Sequence, residues 1–583
     1  MNYQKPSFIS WRFYLLIGLI VMAAMGLGLR LFDLAILKQH FLRDQGNKRS
    51  LRLVSSPAFR GMITDRQGYP LAVSTRVFSV WANPQEFSPS SKELHHLARL
   101  LAMKAADIHS LTERYEEQDR EFVYLKRSIS PELAIEIKAL NLFGLHLQEE
   151  YKRYYPEGEM AAQLIGFTNV DDKGQEGLEL AYQNWLQGEP GEKWVTKDRI
   201  GRVISELQTV KEQKPGSDLT LSIDRRVQYL AYRELMEGIA ANHAHAGSAV
   251  VLDVKTGEVL AMVNYPSFNP NQRPAQRSEI YRNRAVTDLF EPGSTVKAFS
   301  IASALDSGKY KPDTLVDTFP GWIRVGHNVV RDEENHGPLT VTQILQISSN
   351  VGVTKMILSL PPDQLWDVLH RVGFGEVTGV GFPGEPNGVL TKHHPWGDFT
   401  LATLAFGYGV SVTTLQLVRA YSVLANQGVK LPVSLLRLDH APAGERVMEA
   451  NIAQQMLALL ETVVTKEGTG NRARVPGYRV AGKTGTAKIA IAGGYEQHRY
   501  ISSFIGIAPA SNPRFIVAVV IHDPQGKRFL GGAVSGPVFA RIMEGTLRMW
   551  NIAPDEGVDV GKLPIDVVTK GNYNTYYLNE ESQ

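Results

Sequence analysis

Three short strings in this 583-residue chain hold residue types that could do covalent chemistry. The first is Ser294-Thr-Val-Lys297, set behind Glu291-Pro-Gly. Pro292 suits a first helical turn, which puts Ser294 at or near a helix N-terminus and Lys297 three residues on, on the same face. A serine hydroxyl is a weak nucleophile until a base takes its proton, and a lysine neutralised by desolvation or by a second cation can be that base. Ser-x-x-Lys occurs once in the chain. Alone, it fits a helix start followed by a surface lysine better than a catalytic pair.

The second string is Ser348-Ser-Asn350, near the start of an apolar helical stretch. Two polar groups at i and i+2 across a turn can face one cleft, one relaying a proton and one binding an amide. Ser267-Phe-Asn269 has the same pattern but lies in a Pro-flanked turn, and a structural role fits it better. The third is Lys483-Thr-Gly-Thr486, after the run Tyr478-Arg-Val-Ala-Gly482. In a strand Lys483 and Gly485 point one way and the threonines the other, and glycine lets another backbone come close. Lys255-Thr-Gly257 repeats the tripeptide ahead of Ser294, between two apolar runs, and reads as a hairpin turn. Ser-x-x-Lys on a helix, then Ser-x-Asn, then Lys-Thr-Gly on a strand, in that order, form the signature of penicilloyl-serine transferases.

The elements that must position these strings can be read around them. The polar, Pro/Gly-marked Lys211-Glu-Gln-Lys-Pro-Gly216 is a domain boundary. After it, Asp218 to Ile223 alternates like a strand, and Asp224 can cap a helix through Val227, Leu230, Leu235 and Ile239. Ser248 to Val254 and Glu258 to Val263 form a hairpin, and Tyr478 to Ala481, Ile501 to Ala508 and Phe515 to Ile521 supply later strands. Helical stretches between them include Ser300 to Leu305, Val341 to Leu358 and Leu401 to Ala425. Strands at both ends with helices between predict an α+β domain, one antiparallel sheet flanked by helices. Residues 37–215 mix short periodic stretches with turns, as an elongated mixed α/β pedestal would. The partition expected is 1–12 tail, 13–36 anchor, 37–215 pedestal, 216–550 catalytic domain and 551–583 tail.

The anchor rests on Phe13 to Leu29, an uncharged apolar run that continues past Arg30 to Leu37. With that extension it reaches the roughly 20 residues of a bilayer span, and it is too long for a signal-peptide core. Orientation is not fixed by charge. Lys5 and Arg12 precede the run, whereas Arg30, Lys38, Arg43, Lys48, Arg49 and Arg52 outnumber Asp33 and Asp44 after it, so a positive-inside count disfavours an outside-facing body.

Composition excludes several classes. Hydrophobic residues at 43% and charged residues at 21% fit a globular chain rather than a disordered one. A net charge of +2 with no compact basic stripe leaves nothing to hold a nucleic acid. The absence of cysteine excludes disulfides, thiolate catalysis and cysteine-ligated metals. His243-Ala-His245 has no third ligand cluster beside it, and His393-His394 precedes Pro395 as a loop; neither reads as a metal site. The basic residues 43–52 fit a juxtamembrane surface or a contact with anionic lipid or a membrane partner.

With these residues in view, the chain resembles the class B penicillin-binding proteins, and within them the division-specific branch. The resemblance extends over nearly the whole chain. It includes Phe59-Arg-Gly-Met-Ile-Thr-Asp65-Arg-Gln-Gly68, Arg153-Tyr-Tyr-Pro156, Leu164-Ile-Gly-Phe-Thr-Asn169 and Gly174-Gln-Glu-Gly-Leu-Glu179 in the pedestal. In the catalytic domain it includes Asn283 to Ser294, Phe406-Gly-Tyr-Gly409 and Gly531-Gly-Ala-Val-Ser-Gly-Pro537. It implies a membrane-anchored peptidoglycan D,D-transpeptidase of the division septum, with an acyl-serine intermediate and covalent inhibition by β-lactams. Residues 1–12 would then be cytoplasmic and the body periplasmic.

The resemblance also implies roles. Ser294 is the nucleophile, Lys297 the general base, Ser348 the proton relay to the leaving amine, and Asn350 the group that orients the substrate amide. Lys483 adds positive field, Thr484 and Thr486 hold the terminal carboxylate, Gly485 admits the substrate backbone, and Tyr408 walls the cleft. The backbone N–H groups of Ser294 and Thr486 form the oxyanion hole. No cofactor is implied. The partners implied are stem peptides ending in D-Ala-D-Ala, β-lactams, the membrane, the glycosyltransferase FtsW and other division proteins. Competing expectations are an elongation-specific transpeptidase and a non-catalytic, β-lactam-acylated sensor or scaffold. A class A β-lactamase would carry a deacylating Glu-x-x-Leu-Asn, and none lies between Asn350 and Lys483.

Overall fold

The computed structural model describes residues 10–197, 203–273, 278–393, 395–491 and 493–557. Most of the expected 1–12 and 551–583 tails, and His394, lie outside the described residues. The chain divides into two compact units, each discontinuous in sequence. One gathers the residues up to Gly61 with Ser74–Lys152 and Gln187–Ser217; the other comprises Met62–Val73, Arg153–Leu186 and the chain from Asp218.

Helix α1 (Ser10–Phe32) continues as one wide turn, Asp33–Leu37. Trp11–Leu37, with mean hydropathy 2.2, is long and apolar enough to cross a bilayer, and none of it is buried. Its side chains, Phe13, Leu16, Ile20 and Leu27 among them, are exposed all round. A helix apolar on every face is at home in lipid, so this one fits a single-pass anchor.

The rest of the first unit holds the antiparallel sheet Leu51–Ser56, Gly191–Lys197 and Val203–Lys211. It also has its own core, built on Val80, Phe87, Leu97, Ile108, Val123 and Ile137. The helix Ser91–Leu100 starts on a complete capping box, in which Ser90 and Glu93 satisfy each other's backbone N–H groups.

In the second unit the sheet is built from five antiparallel strands. In chain order these are β1 (Ala246–Asp253), β2 (Val259–Tyr265), β3 (Ala481–Ile491), β4 (Gly494–Ala508) and β5 (Phe515–His522), and their spatial order is β2-β1-β5-β4-β3. Alternation divides β1, β2, β4 and β5 between two cores. In β1, Val250 and Leu252 join one hydrophobic cluster while Ala249 and Val251 join the other. Helices α2 (Arg225–Ala241, capped by Asp224) and α9 (Gly531–Met549) cover one face through Val227, Leu235, Val538 and Ile542. The other face meets α3 (Lys297–Asp306), whose Phe299, Ile301 and Ala302 are buried, and α8 (Ala450–Val463) adds Met456 and Leu460 to the same cluster. Each such Leu, Ile or Phe contributes about 1.5–3 kcal/mol. The α+β arrangement expected from the sequence is therefore present.

Three expected elements differ. The helical stretch from Val341 to Leu358 is two helices, α4 (Val341–Gln346) and α5 (Asn350–Leu358), broken where Ser348 takes φ +65°. The stretch from Leu401 to Ala425 is likewise two, α6 (Asp398–Ala405) and α7 (Thr414–Ala425). They are interrupted at Phe406-Gly-Tyr-Gly409, where Gly407 and Gly409 have positive φ. Tyr478 to Val480 is not strand: Pro476 and Gly477 (φ +79°) turn the chain, and β3 begins at Ala481. Both helix breaks fall on strings singled out for chemistry. Apolar periodicity passes through a break when its flanks stay buried, so the pattern alone reads as continuous.

Candidate active site

Ser294 lies in a 3₁₀ turn, Gly293–Val296, that leads directly into α3, so Lys297 is that helix's first residue. Two glycines hold the turn in place. The Gly293 N–H donates to the Gly407 carbonyl at 3.1 Å. A Cβ on Gly407 would lie 2.0 Å from the Gly293 oxygen, so the Phe406–Gly409 segment can pack there only as glycine. On its other side the turn meets β3, the edge strand. A Cβ on Gly485 would come within 2.9 Å of both the Pro292 oxygen and Thr295 Cγ2, and 2.3 Å from Ser503 Oγ. Lys483-Thr-Gly-Thr486 and the serine turn are thus in contact, with glycine at the tightest point.

Lys297 is fully buried. Its Nζ donates to the Ser348 carbonyl, to Ser348 Oγ at 3.1 Å and to Asn350 Oδ1 at 2.7 Å. Burial pushes its ammonium down to about 7, against the opposing pull of Asp332 and Glu333. The three acceptors saturate an ammonium. When Lys297 loses its proton it gains a lone pair, and of the three only the Ser348 hydroxyl can reverse and donate to it. Lys483, also fully buried, lies with Nζ 3.3 Å from both the carbonyl and the hydroxyl of Thr484. Burial, then the charge of Lys297, holds it well below the usual lysine range.

Ser348 reaches Lys297 only because α4 and α5 are broken, and Asp332, unremarked in the sequence, shapes the break. Its Oδ1 accepts from the N–H groups of Asn350 and Val351, and its Oδ2 from Ser349 Oγ at 2.6 Å, while Ser349 Oγ accepts from Gly352 N–H. A carboxylate on the first turn of α5 satisfies otherwise unpaired donors and favours the helix dipole. Nothing in the spacing of Asp332 marks it, since it belongs to the end of a separate hairpin, Trp322–Val325 with Asn328–Arg331.

The remaining positions are as follows. Thr484 Oγ1 is 3.0 Å from Thr469 Oγ1, and Thr486 Oγ1 accepts from Gly531 N–H at 3.0 Å. Tyr408 is half-buried, its ring edge-on to Tyr495 at 5.4 Å, and burial raises its hydroxyl pKa. Glu291 ties the two segments by accepting from Gly409 N–H and Tyr495 O–H. Ser294, Lys297, Ser348, Asn350, Lys483, Thr484, Gly485, Thr486 and Tyr408 therefore lie on segments that pack together. The decoys lie in turns. Ser267 Oγ donates to the Glu159 carbonyl, and Asn269 Oδ1 accepts from Asn271 N–H. His243 sits at φ +48° just after α2. Among the described residues no group of three or more His, Asp or Glu could hold a metal ion.

A serine turn, a buried lysine with two partners from a helix break, and a glycine-bearing edge strand define a class. The chain belongs to the class B penicillin-binding proteins: residues 247–544 match the penicillin binding protein transpeptidase domain, and residues 55–221 match the penicillin-binding protein dimerisation domain. It is 43% identical to the peptidoglycan D,D-transpeptidase FtsI of Escherichia coli, over 99% of this chain and 96% of that one. It is also 43% identical to the probable peptidoglycan D,D-transpeptidase PbpC of Pseudomonas aeruginosa, over 94% and 96%. Penicillin-binding protein 3 of Mycobacterium tuberculosis, solved with aztreonam, matches with a TM-score of 0.67 at 28% identity, over 86% of this chain and 98% of that chain.

Proposed function

We propose that this chain is a membrane-anchored peptidoglycan D,D-transpeptidase that cross-links stem peptides during septal wall synthesis. The observation that carries the mechanism is the buried Lys297, held near neutrality and aimed at a hydroxyl that can reverse. Neutral Lys297 takes the Ser294 proton as Oγ attacks the carbonyl between the two terminal D-alanines. The tetrahedral oxyanion is stabilised by the N–H groups of Ser294 and Thr486. The C–N bond then breaks, and the amine leaves as D-alanine with a proton delivered from Lys297 through Ser348 Oγ. An amine of a neighbouring stem attacks the acyl-serine and regenerates Ser294. Asn350 orients the substrate amide, Gly485 admits its backbone, Thr484 and Thr486 hold the terminal carboxylate, Lys483 supplies field, and Tyr408 walls the cleft. A β-lactam enters the first half of this sequence and remains as the acyl group.

The same reading places residues 1–12 in the cytoplasm, anchors the chain through 13–36 and puts the pedestal (37–215) and catalytic domain (216–550) in the periplasm, with 551–583 as a tail. The partners are FtsW and other division proteins. Small residues Ala23, Ala24, Gly26 and Gly28 let another helix approach closely in lipid. Labelling with a fluorescent penicillin, wild type beside Ser294→Ala, tests the chemistry; label retained on another serine overturns it. Replacing residues 13–36 with an unrelated span in a depleted strain tests the anchor. Normal division with FtsW still co-purifying would remove the helix from partner recognition.

A further inference from the structure

A cavity of about 390 Å³ opens between the C-terminal end of α2, the middle of α9 and the loop that enters α9, within the range of small-ligand pockets. Its rim is cationic: Arg472, Lys527, Arg528 and Arg541 surround it, against Glu237 alone. Arg541 is partly satisfied by donating to Glu234, which also accepts from Arg233. Arg472, Lys527 and Arg528 have no carboxylate partner among the described residues. Even with Glu234 set against Arg541, positive charge is in excess, and a concave wall concentrates the resulting field.

The walls lead to the candidate active site. The loop carrying Lys527 and Arg528 is fixed at one end by Gln525 N–H donating to the Asn242 carbonyl at 3.1 Å. At the other end it runs into Gly531, whose N–H holds Thr486 Oγ1. That junction has no slack: a Cβ on Gly531 would lie 2.3 Å from the Gly485 oxygen, and one on Gly532 would lie 3.2 Å from Thr484 Cγ2. A displacement of the loop is therefore transmitted to Lys483–Thr486 through packed backbone.

We propose that this cavity binds an anionic ligand, a carboxylate- or phosphate-bearing small molecule, and that its occupancy changes the acylation rate at Ser294. Arginine forks match both groups in pairs of hydrogen bonds. The coupling rests on the reading of Ser294 as the acylated residue; the binding does not.

The test uses the full chain in detergent, with triglutamate peptide and inorganic pyrophosphate titrated separately by calorimetry at about 150 mM salt, where exposed charges are screened. One anion is expected to bind saturably, and the Arg472→Ala/Arg528→Ala variant to bind it at least about tenfold more weakly. Peptide binding alone assigns a carboxylate ligand, and pyrophosphate binding alone a phosphate. Saturation should change fluorescent-penicillin labelling at least about twofold in the wild type and leave the variant's rate unchanged. The site is overturned if neither anion saturates or the variant binds as tightly as the wild type. Binding with unchanged labelling overturns the coupling. A wild type that binds the anion but never labels overturns the acyl-serine reading instead.

Discussion

The same tripeptide, Lys-Thr-Gly, occurs twice in the catalytic unit, and the two copies share almost nothing beyond spelling. At Lys255 the chain turns between β1 and β2. Lys255 is exposed, Thr256 Oγ1 donates to Glu258, and Gly257 is needed for its φ of +75°. At Lys483 the chain is extended. The lysine is fully buried, Thr484 meets Thr469, and Gly485 is needed because the serine turn leaves no room for a Cβ. Neither glycine has room for a Cβ, which at Gly257 would lie 2.2 Å from the Pro432 oxygen, but only Gly257 also needs its positive φ. Chemistry follows the burial of the lysine, because desolvation disfavours its charged form.

The largest effect that sharpens this contrast is in the turn that only the second copy packs against. Ser294→Ala should abolish penicillin labelling, a loss of at least about a thousandfold, with the melting temperature little changed because one half-buried hydroxyl is removed. Next is Lys483→Ala, which should slow labelling by about a hundredfold through loss of preorganised positive charge. Stopped-flow acylation measures both. A Lys483→Ala protein that labels like the wild type would break the comparison.

Much of this was legible in the sequence, and the reason differs by residue. Ser294 and Lys297 stand in a local string whose helix start could be read from Pro292, whereas Lys483 follows a run read as strand that is in fact a turn leading into β3. The antiparallel sheet was legible because β1, β2, β4 and β5 are apolar runs of strand length bounded by turns. The breaks at Ser348 and Gly407 were not, because apolar residues continue on both sides and hide the interruption. Asp332 was not legible either. Its role depends on the end of a hairpin meeting a helix start, a tertiary contact with no local spacing. Glu291 stands beside Pro292 in the sequence, yet its bonds to Gly409 and Tyr495 join three segments far apart in the chain.

Two smaller effects test whether the charge of a buried lysine is what matters. With Lys297 near 7, the neutral, reactive form grows as pH rises. The acylation rate should therefore rise through a midpoint near 7 and fall about tenfold per unit below it. A rate flat between pH 5.5 and 8.5 would remove Lys297 as the base. Asp332→Asn should lower the rate by about tenfold by weakening its hold on α5. It should also move the midpoint down, because the Asp332 charge favours the ammonium of Lys297. A merely structural Asp332 would lower the rate at every pH and leave the midpoint fixed.

The smallest effect is the one the comparison most depends on. Lys255→Ala removes an exposed side chain whose backbone N–H, not its ammonium, makes the local bond, to Asp253 Oδ1 at 2.9 Å. That bond survives in alanine, Gly257 keeps its turn, and Thr256 keeps Glu258. Stability should change by no more than about 0.5 kcal/mol, as for surface substitutions elsewhere, and labelling should stay within about twofold of wild type. Thermal unfolding and acylation kinetics on the same preparation read both. If Lys255→Ala slowed acylation as much as Lys483→Ala, burial would no longer separate the two copies, and the site built on β3 would have to be reassigned.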